Sequence, residues 1–322
     1  MPAPSIPNSQ WIYTYAYEPR QIWEPWETEA FPPKWIAQEA NNVVEQTNAI
    51  PHTLAFILLT DTHITENGTW NHTAEAISQI CKQTKINAVI HLGDFTDGIL
   101  SKQKTSEYAN KILNDLKQND IPIYAALGNH DFNYFNKNPD ILTSQEASEL
   151  HLNRSEANYS VDFSEQNLRF IFLNSYDNSK RLRYGFSKET LDFLSQELEK
   201  GKAIIFSHLP PMAVLQAWVK EIRGENEIME IMNRHSESII AFINGHNHCD
   251  SLYNGKFPII SINCSKCEYF LEHKPQNAKT PFRKLGEPIQ ESFDILLYPS
   301  LKFIRFGAGQ NRQIENGIAE WR

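Results

Sequence analysis

The chain has 322 residues, a formal net charge of −9 and 41% hydrophobic against 21% charged residues. That length supports one large domain with extensions or two modest ones, and a sizeable core, in a composition ordinary for a globular protein. The acidic balance excludes a nucleic-acid polymer or an anionic membrane surface as the main partner, because either requires accumulated positive charge.

Four cysteines, Cys81, Cys249, Cys264 and Cys267, are too few and too scattered for a disulfide framework. Cys264-x-x-Cys267 has no second pair to complete a metal site and reads as a thiol pair near a strand end. The start, MPAPSIPNSQ, has neither a basic nor an apolar signal region, and no run reaches about 18 apolar residues. The expectation is a soluble cytoplasmic protein with no membrane partner; a homo-oligomer is left open.

Residues 1–50 form an aromatic-rich arm and helix expected to pack on the main domain. Trp11, Tyr13, Tyr15 and Tyr17 recur at the strand period of two, Trp23, Trp26 and Trp35 follow among prolines, and WIAQEANNVVEQTN reads as a helix. The main domain spans 51–310 and a C-terminal tail 311–322. Short apolar runs occur at 53–60, 87–92, 122–127, 168–174, 202–207, 239–244 and 257–263. They have strand length, β-branched and aromatic content, and turn formers at their ends. Helical segments at 70–84 and 101–119 separate the first three, as βαβ crossovers require. FDILLYPSLKFIRF reads as an antiparallel hairpin, so the class is α/β with mixed pairing.

Each apolar run is followed by chemistry. Asp61-Thr62-His63 follows the first, GDFTDG (93–98) the second and Gly128-Asn129-His130-Asp131 the third. His208 follows 202–207, and Gly245-His246-Asn247-His248 follows 239–244. Ligand sites of open α/β sheets gather at strand carboxyl ends, so turns distant in sequence can converge there. Asp61 and His63, like His246 and His248, stand at i and i+2 and would face one way in an extended chain. Carboxylate, imidazole and amide oxygen suit divalent manganese, iron or zinc, and the number of donors suits two ions rather than one.

The ordered set DTH, GDFTDG, GNHD, His208 and GHNH resembles the calcineurin-like metallophosphoesterase superfamily, with its DxH, GDxxD, GNH[DE], H and GHxH pattern. The resemblance implies a four-layer αββα sandwich of two mixed β-sheets flanked by helices. It implies that Asp61, His63 and His248 hold one metal, that Asp94 bridges, and that Asn129, His208 and His246 complete the second. His130 would touch the substrate, oriented by Asp97. The reaction implied is attack on phosphorus by a hydroxide held between the metals, in line with the leaving oxygen of a small phosphorylated substrate. A scaffold that has lost its metals is disfavoured because all seven ligand positions hold competent side chains. His91, inside an apolar strand, reads as a satisfied core or supporting histidine.

Gly98 stands where serine/threonine phosphatases of the superfamily carry Arg, and Asp97 where purple acid phosphatases carry a metal-binding Tyr. The remaining pattern is more similar to cyclic-nucleotide and glycerophosphodiester phosphodiesterases. GNHDFNYF, LRFIFLNSYDNS and GFSKETLDFLSQEL also resemble manganese-dependent ADP-ribose/CDP-alcohol diphosphatases, which cut a pyrophosphate. Specificity would come from loops 132–157, 175–186, 209–224 and 264–290; Arg181 or Arg183 is a candidate for gripping a distal phosphate, against the plainer reading of a solvated loop.

Overall fold

The structure, a computed structural model, describes residues 33–64, 70–217, 220–265, 292–307 and 309–322. The aromatic arm before the first helix, Cys267 and most of the 264–290 loop lie outside the described residues.

The element order begins α1 (Pro33–Ala49), β1 (Leu54–Leu59), α2 (Trp70–Gln83), β2 (Ala88–His91), α3 (Lys102–Lys117) and β3 (Ile123–Ala125). It continues α4 (Ser144–Leu152), β4 (Tyr159–Phe163), β5 (Leu168–Leu173), α5 (Lys188–Leu198), β6 (Ala203–Ser207), α6 (Glu225–Arg234) and β7 (Ile239–Asn244). Six short strands follow: β8 (Ser251–Asn254), β9 (Pro258–Ser261), β10 (Ser292–Tyr298), β11 (Lys302–Gly307), β12 (Arg312–Glu315) and β13 (Ile318–Trp321). The strands form two mixed sheets, ordered β13-β12-β11-β10-β1-β2-β3 and β4-β5-β6-β7-β9-β8.

The LAFILL run of β1 shows no polar alternation because both faces are covered. Phe56 and Leu58 enter the layer between the sheets with Phe170, Phe172 and Phe206 of the second sheet. Ala55, Ile57 and Leu59 meet Ile36, Ala40 and Val43 of α1 and Ile77 and Ile80 of α2. On the far side, Ile205 and Phe242 pack against Leu194 of α5 and Ile228 of α6. The result is the expected αββα sandwich.

Register then places the polar turns. Leu59 pairs with His91 and His91 with Ala125, so β1, β2 and β3 end level. In the second sheet Ser207, Asn244 and Ser261 stand level. The two carboxyl edges meet, and His208 Nδ1 donates to Leu92 O across them at 2.8 Å.

The segment 311–322, read from the sequence as a tail, instead extends the first sheet as the hairpin β12–β13. It delivers Arg312 into a buried charge cluster. Arg312 Nη1 donates to Asp250 Oδ1 at 2.7 Å and Nη2 to Asp294, while Arg305 reaches Asp250 at 2.5 Å and Asp294 at 3.0 Å. All four side chains are at most 4% exposed. The cluster ties β10, β11 and β12 to Asp250, two residues after His248. Arg312→Ala, which leaves buried carboxylate charge uncompensated, is expected to cost about 3–5 kcal/mol, read as a lower urea midpoint. Removing Arg312 and Asp294 together, both to Leu, should cost less than Arg312→Ala alone.

Candidate metal centre

Backbone conformation, not extended alternation, brings the i and i+2 pairs together. Asp61 (φ 51°), His63 (40°), Asp94 (58°), His246 (67°) and His248 (52°) are all left-handed. Such conformations cost a non-glycine residue about 1–3 kcal/mol each and persist where surroundings enforce them. The residue between each pair turns away to make that enforcement. Thr62 Oγ1 meets His91 Nε2 at 2.8 Å. Asn247 Nδ2 donates to Leu215 O at 2.8 Å, and its Oδ1 accepts from Ala217 N at 2.9 Å. Two glycines permit the approach: a Cβ on Gly128 would strike the Asp94 carboxylate, and one on Gly245 would strike Thr60 and come within 2.7 Å of Asp61 Oδ2.

The seven expected ligand residues converge. Asp94 Oδ2 lies at the middle, 3.2 Å from His208 Nε2, 3.6 Å from His63 Nε2 and 3.9 Å from His130 Nε2. On one side Asp61 Oδ1 faces His248 Nε2 at 3.2 Å and His63 Nε2 at 3.8 Å. On the other, His208 Nε2 has Asn129 Oδ1 and His246 Nδ1 each at 3.2 Å. Three triads, Asp61–His63–His248, His63–Asp94–His130 and Asp94–His208–His246, each hold their ligand atoms within 4.8 Å of one another.

The donors fit a pair of divalent ions. Asp61 Oδ2 accepts from Thr60 Oγ1 at 2.6 Å and from His246 N at 3.0 Å, whereas Oδ1, turned to the centre, is buried against the imidazoles of His248 and His63. Such an oxygen is costly unless a cation completes it. Asp94 Oδ1 is likewise held, by His130 N at 2.8 Å, leaving Oδ2 between the two groups. His208 Nδ1 donates to Leu92 O, which directs its Nε2 inward.

Electrostatics agree. Burial disfavours charge on Asp61 and Asp94, but the neighbouring imidazoles, His208 first, hold both well below the ordinary carboxylate range. Burial opposes the His208 imidazolium too, yet Asp94 and Asp61 outweigh it and raise its pKa to about 9. Burial and then the His208 charge push His246 down to about 3. Without metal, His208 therefore supplies positive charge that a divalent ion would replace, with release of its proton.

Two supporting roles differ from the sequence reading. The Asp97 carboxylate lies 3.3 Å from His63 Nδ1, and His130 Nδ1 meets the main-chain oxygen of Asp97 at 2.6 Å. The side chain thus reaches an expected metal ligand, and the backbone orients His130. Asp131, unassigned beyond a structural role, accepts from Asp94 N and Phe95 N at 2.9 Å and from Gly128 N at 2.8 Å. One carboxylate thereby clamps GDFTDG against GNHD, with His151 of α4 behind it at 3.6 Å. His91 is a satisfied histidine: it accepts from Gly93 N at 3.1 Å, stacks on Phe95, and burial lowers its pKa to about 3.

Paired carboxylate–imidazole groups about one shared Asp, at the carboxyl edges of facing mixed sheets, define a metal-dependent hydrolase of phosphoric esters. Residues 54–250 match the calcineurin-like phosphoesterase family model, and the chain belongs to that family, which implies a hydrolase acting on phosphoric esters with two divalent metal ions. Its fold is similar to that of a dimetal phosphatase from Danio rerio, with a TM-score of 0.62 at 16% identity over 81% of this chain and 98% of that one. It is also similar to a purple acid phosphatase from yellow lupin (Lupinus luteus) seeds, with a TM-score of 0.51 at 14% identity over 83% of this chain and 52% of that one. No curated protein sequence matches the chain. Among the described residues, no helix is long and apolar enough to cross a membrane.

Two outcomes follow from the geometry. Asp131→Ala should weaken Mn2+ binding by about 10- to 100-fold in calorimetry although Asp131 faces no metal position. His208, whose folded pKa of about 9 exceeds its ordinary 6.5, contributes stability to the metal-free protein that is fully present below pH 6.5 and lost as pH rises through 9. The melting temperature should accordingly fall across that interval, and the stabilisation by added Mn2+ should grow across it; neither trend should persist in His208→Asn.

Proposed function

We propose that the chain is a phosphodiesterase in which Asp61, His63 and His248 hold one metal, Asn129, His208 and His246 the other, and Asp94 both. The single observation that carries this reading is the Asp94 carboxylate, one oxygen fixed by His130 N and the other between His63 and His208. Two divalent ions bound there would make a water nucleophilic near neutral pH and offset phosphate charge; manganese, iron or zinc suits the donors.

The chain's own residues do the rest. The main-chain oxygen of Asp97 accepts only, so His130 Nδ1 carries the proton and Nε2 faces the centre. Only the imidazolium, with a second proton on Nε2, could donate to the leaving oxygen; burial disfavours that form and the Asp94 carboxylate favours it. Phe135, its ring 4.4 Å from that of His130, and Tyr184, 5.8 Å from that of His246, pack beside the centre.

The diester preference rests on the pattern's similarity to phosphodiesterases and on two positions. Gly98 has φ +66°, and a Cβ there would lie 2.6 Å from His130 O, so the arginine of protein phosphatases has no room at that position. Asp97, engaged with His63, leaves no metal-binding tyrosine. Cleavage of a pyrophosphate link in a nucleoside-diphosphate compound would use the same metals and is favoured by a cation at Arg183.

Metal analysis should give two transition ions per chain, and Asp94→Ala should lose both binding and turnover; full activity of that variant would overturn the dimetal reading. His130→Ala should keep its metals and lose about 10²–10⁴ in rate, more for alkyl than for nitrophenyl leaving groups. A panel of a nitrophenyl monoester and diester, cyclic nucleotides, a glycerophosphodiester and ADP-ribose, assayed with Mn2+, separates the substrate classes.

A further inference from the structure

Asp97 turns two imidazoles the same way. Its main-chain oxygen lies 2.6 Å from His130 Nδ1, and its carboxylate lies 3.3 Å from His63 Nδ1. Both oxygens accept and neither donates, so the neutral rings keep their proton toward Asp97 and present Nε2 lone pairs to the centre. The two Nε2 atoms converge on one further acceptor. His63 Nε2 lies 3.6 Å and His130 Nε2 3.9 Å from Asp94 Oδ2, with the two rings edge to face and their centroids 4.8 Å apart.

Two imidazole lone pairs aimed at one buried carboxylate oxygen repel it unless a cation lies among them. The separations resemble those of the group already assigned, where Asp61 Oδ1 stands 3.2 Å from His248 Nε2 and 3.8 Å from His63 Nε2. The ligand atoms of His63, Asp94 and His130 all lie within 4.8 Å of one another. Two imidazoles and a carboxylate are a common donor set for zinc. His130, kept for the substrate in the two-metal assignment, is thus equally placed as a ligand. His63 offers one inward nitrogen, so an ion on His63, Asp94 and His130 excludes one on Asp61, His63 and His248. The position of Asn129, His208 and His246 stays available beside either.

We propose that His63, Asp94 and His130 form an alternative position for a divalent cation such as Zn2+, in competition with the position on Asp61 and His248. An ion there occupies the substrate-facing imidazole and withdraws His63 from its other partners, so the centre is at rest. Transfer of the ion to Asp61 and His248 frees His130 to meet the substrate. The position stands on the geometry; its resting character rests on the metal-dependent phosphohydrolase reading.

The test counts Zn2+ bound to the full-length protein by equilibrium dialysis and follows its histidine nitrogens by NMR. His248→Asn removes a ligand of the competing position, and asparagine suits the left-handed backbone there (φ 52°). This variant should still bind two Zn2+ per chain, with the His130 Nε2 resonance shifted as a metal-bound nitrogen. Adding His130→Ala to it should lose one of the two ions, although His130→Ala alone keeps both. Asp61→Asn, which keeps the shape of the side chain and removes its charge, repeats the test from the other side of the competing position. A single Zn2+ in folded His248→Asn and Asp61→Asn would overturn the proposal, as would two in the His248→Asn/His130→Ala protein. A His130 resonance unmoved by Zn2+ in both single variants would overturn it as well, and would leave ester hydrolysis by the parent intact. The expected Zn2+ pattern in a protein whose parent hydrolyses no ester would instead retain the position and sink the hydrolytic reading.

Discussion

The Asp94 carboxylate is the constraint on which the rest of the site depends. Its two oxygens do different work: Oδ1 is consumed by the His130 amide, and Oδ2 is shared between His63 and His208, which arrive from opposite sheets. Sharing one atom between two sheets fixes their separation and their register at the carboxyl edge. Any slip of β6 against β2 would move His208 from Asp94 and break its bond to Leu92 as well. Close packing of Phe56, Phe170 and Phe206 between the sheets makes that slip costly over the whole inter-sheet layer.

That arrangement is held against local preference. Five of the seven proposed ligand residues are left-handed, at about 1–3 kcal/mol each. The opposing stabilisation is spread over buried hydrogen bonds that never touch the substrate. Asp131 takes three amides, Thr62 takes His91, and Asn247 takes both an amide and a carbonyl of the 213–217 turn. Arg305 and Arg312 pin Asp250 immediately downstream of His248. These groups fix the turns before any ion binds, which is the preorganisation that metal and transition-state binding reward.

Much of this was legible because reactive side chains sit next to elements with strong signals. The runs ending at Thr60, Leu92 and Ser207 are long, apolar and bounded, so the polar residues after them declare their place. The β12–β13 hairpin was not legible: RQIE and IAEW are four residues each, too short for a period to register, and a buried arginine reads as a surface one. The left-handed backbone of Asp61 and His63 leaves no trace in composition, so i and i+2 spacing suggested an extended pair where the chain in fact turns. Asp97 could be placed near a histidine from its motif, but only the fold shows its carboxylate on His63 and its carbonyl on His130.

The same economy governs how selectivity is built around the metals. Each described loop that rims the site reaches it through few groups: Phe135 on His130, Tyr184 on His246, and Asn247 holding the 213–217 turn. Because those groups pack on the proposed ligands and on His130 themselves, loop position is inherited from the metal centre. Residues farther out, such as Arg183 and Tyr134, are then free to change in chemistry without disturbing the turns that hold the metals. A hydrolase of this design separates what breaks the bond, fixed at the sheet edges, from what chooses the molecule, carried on loops whose inner ends are already anchored.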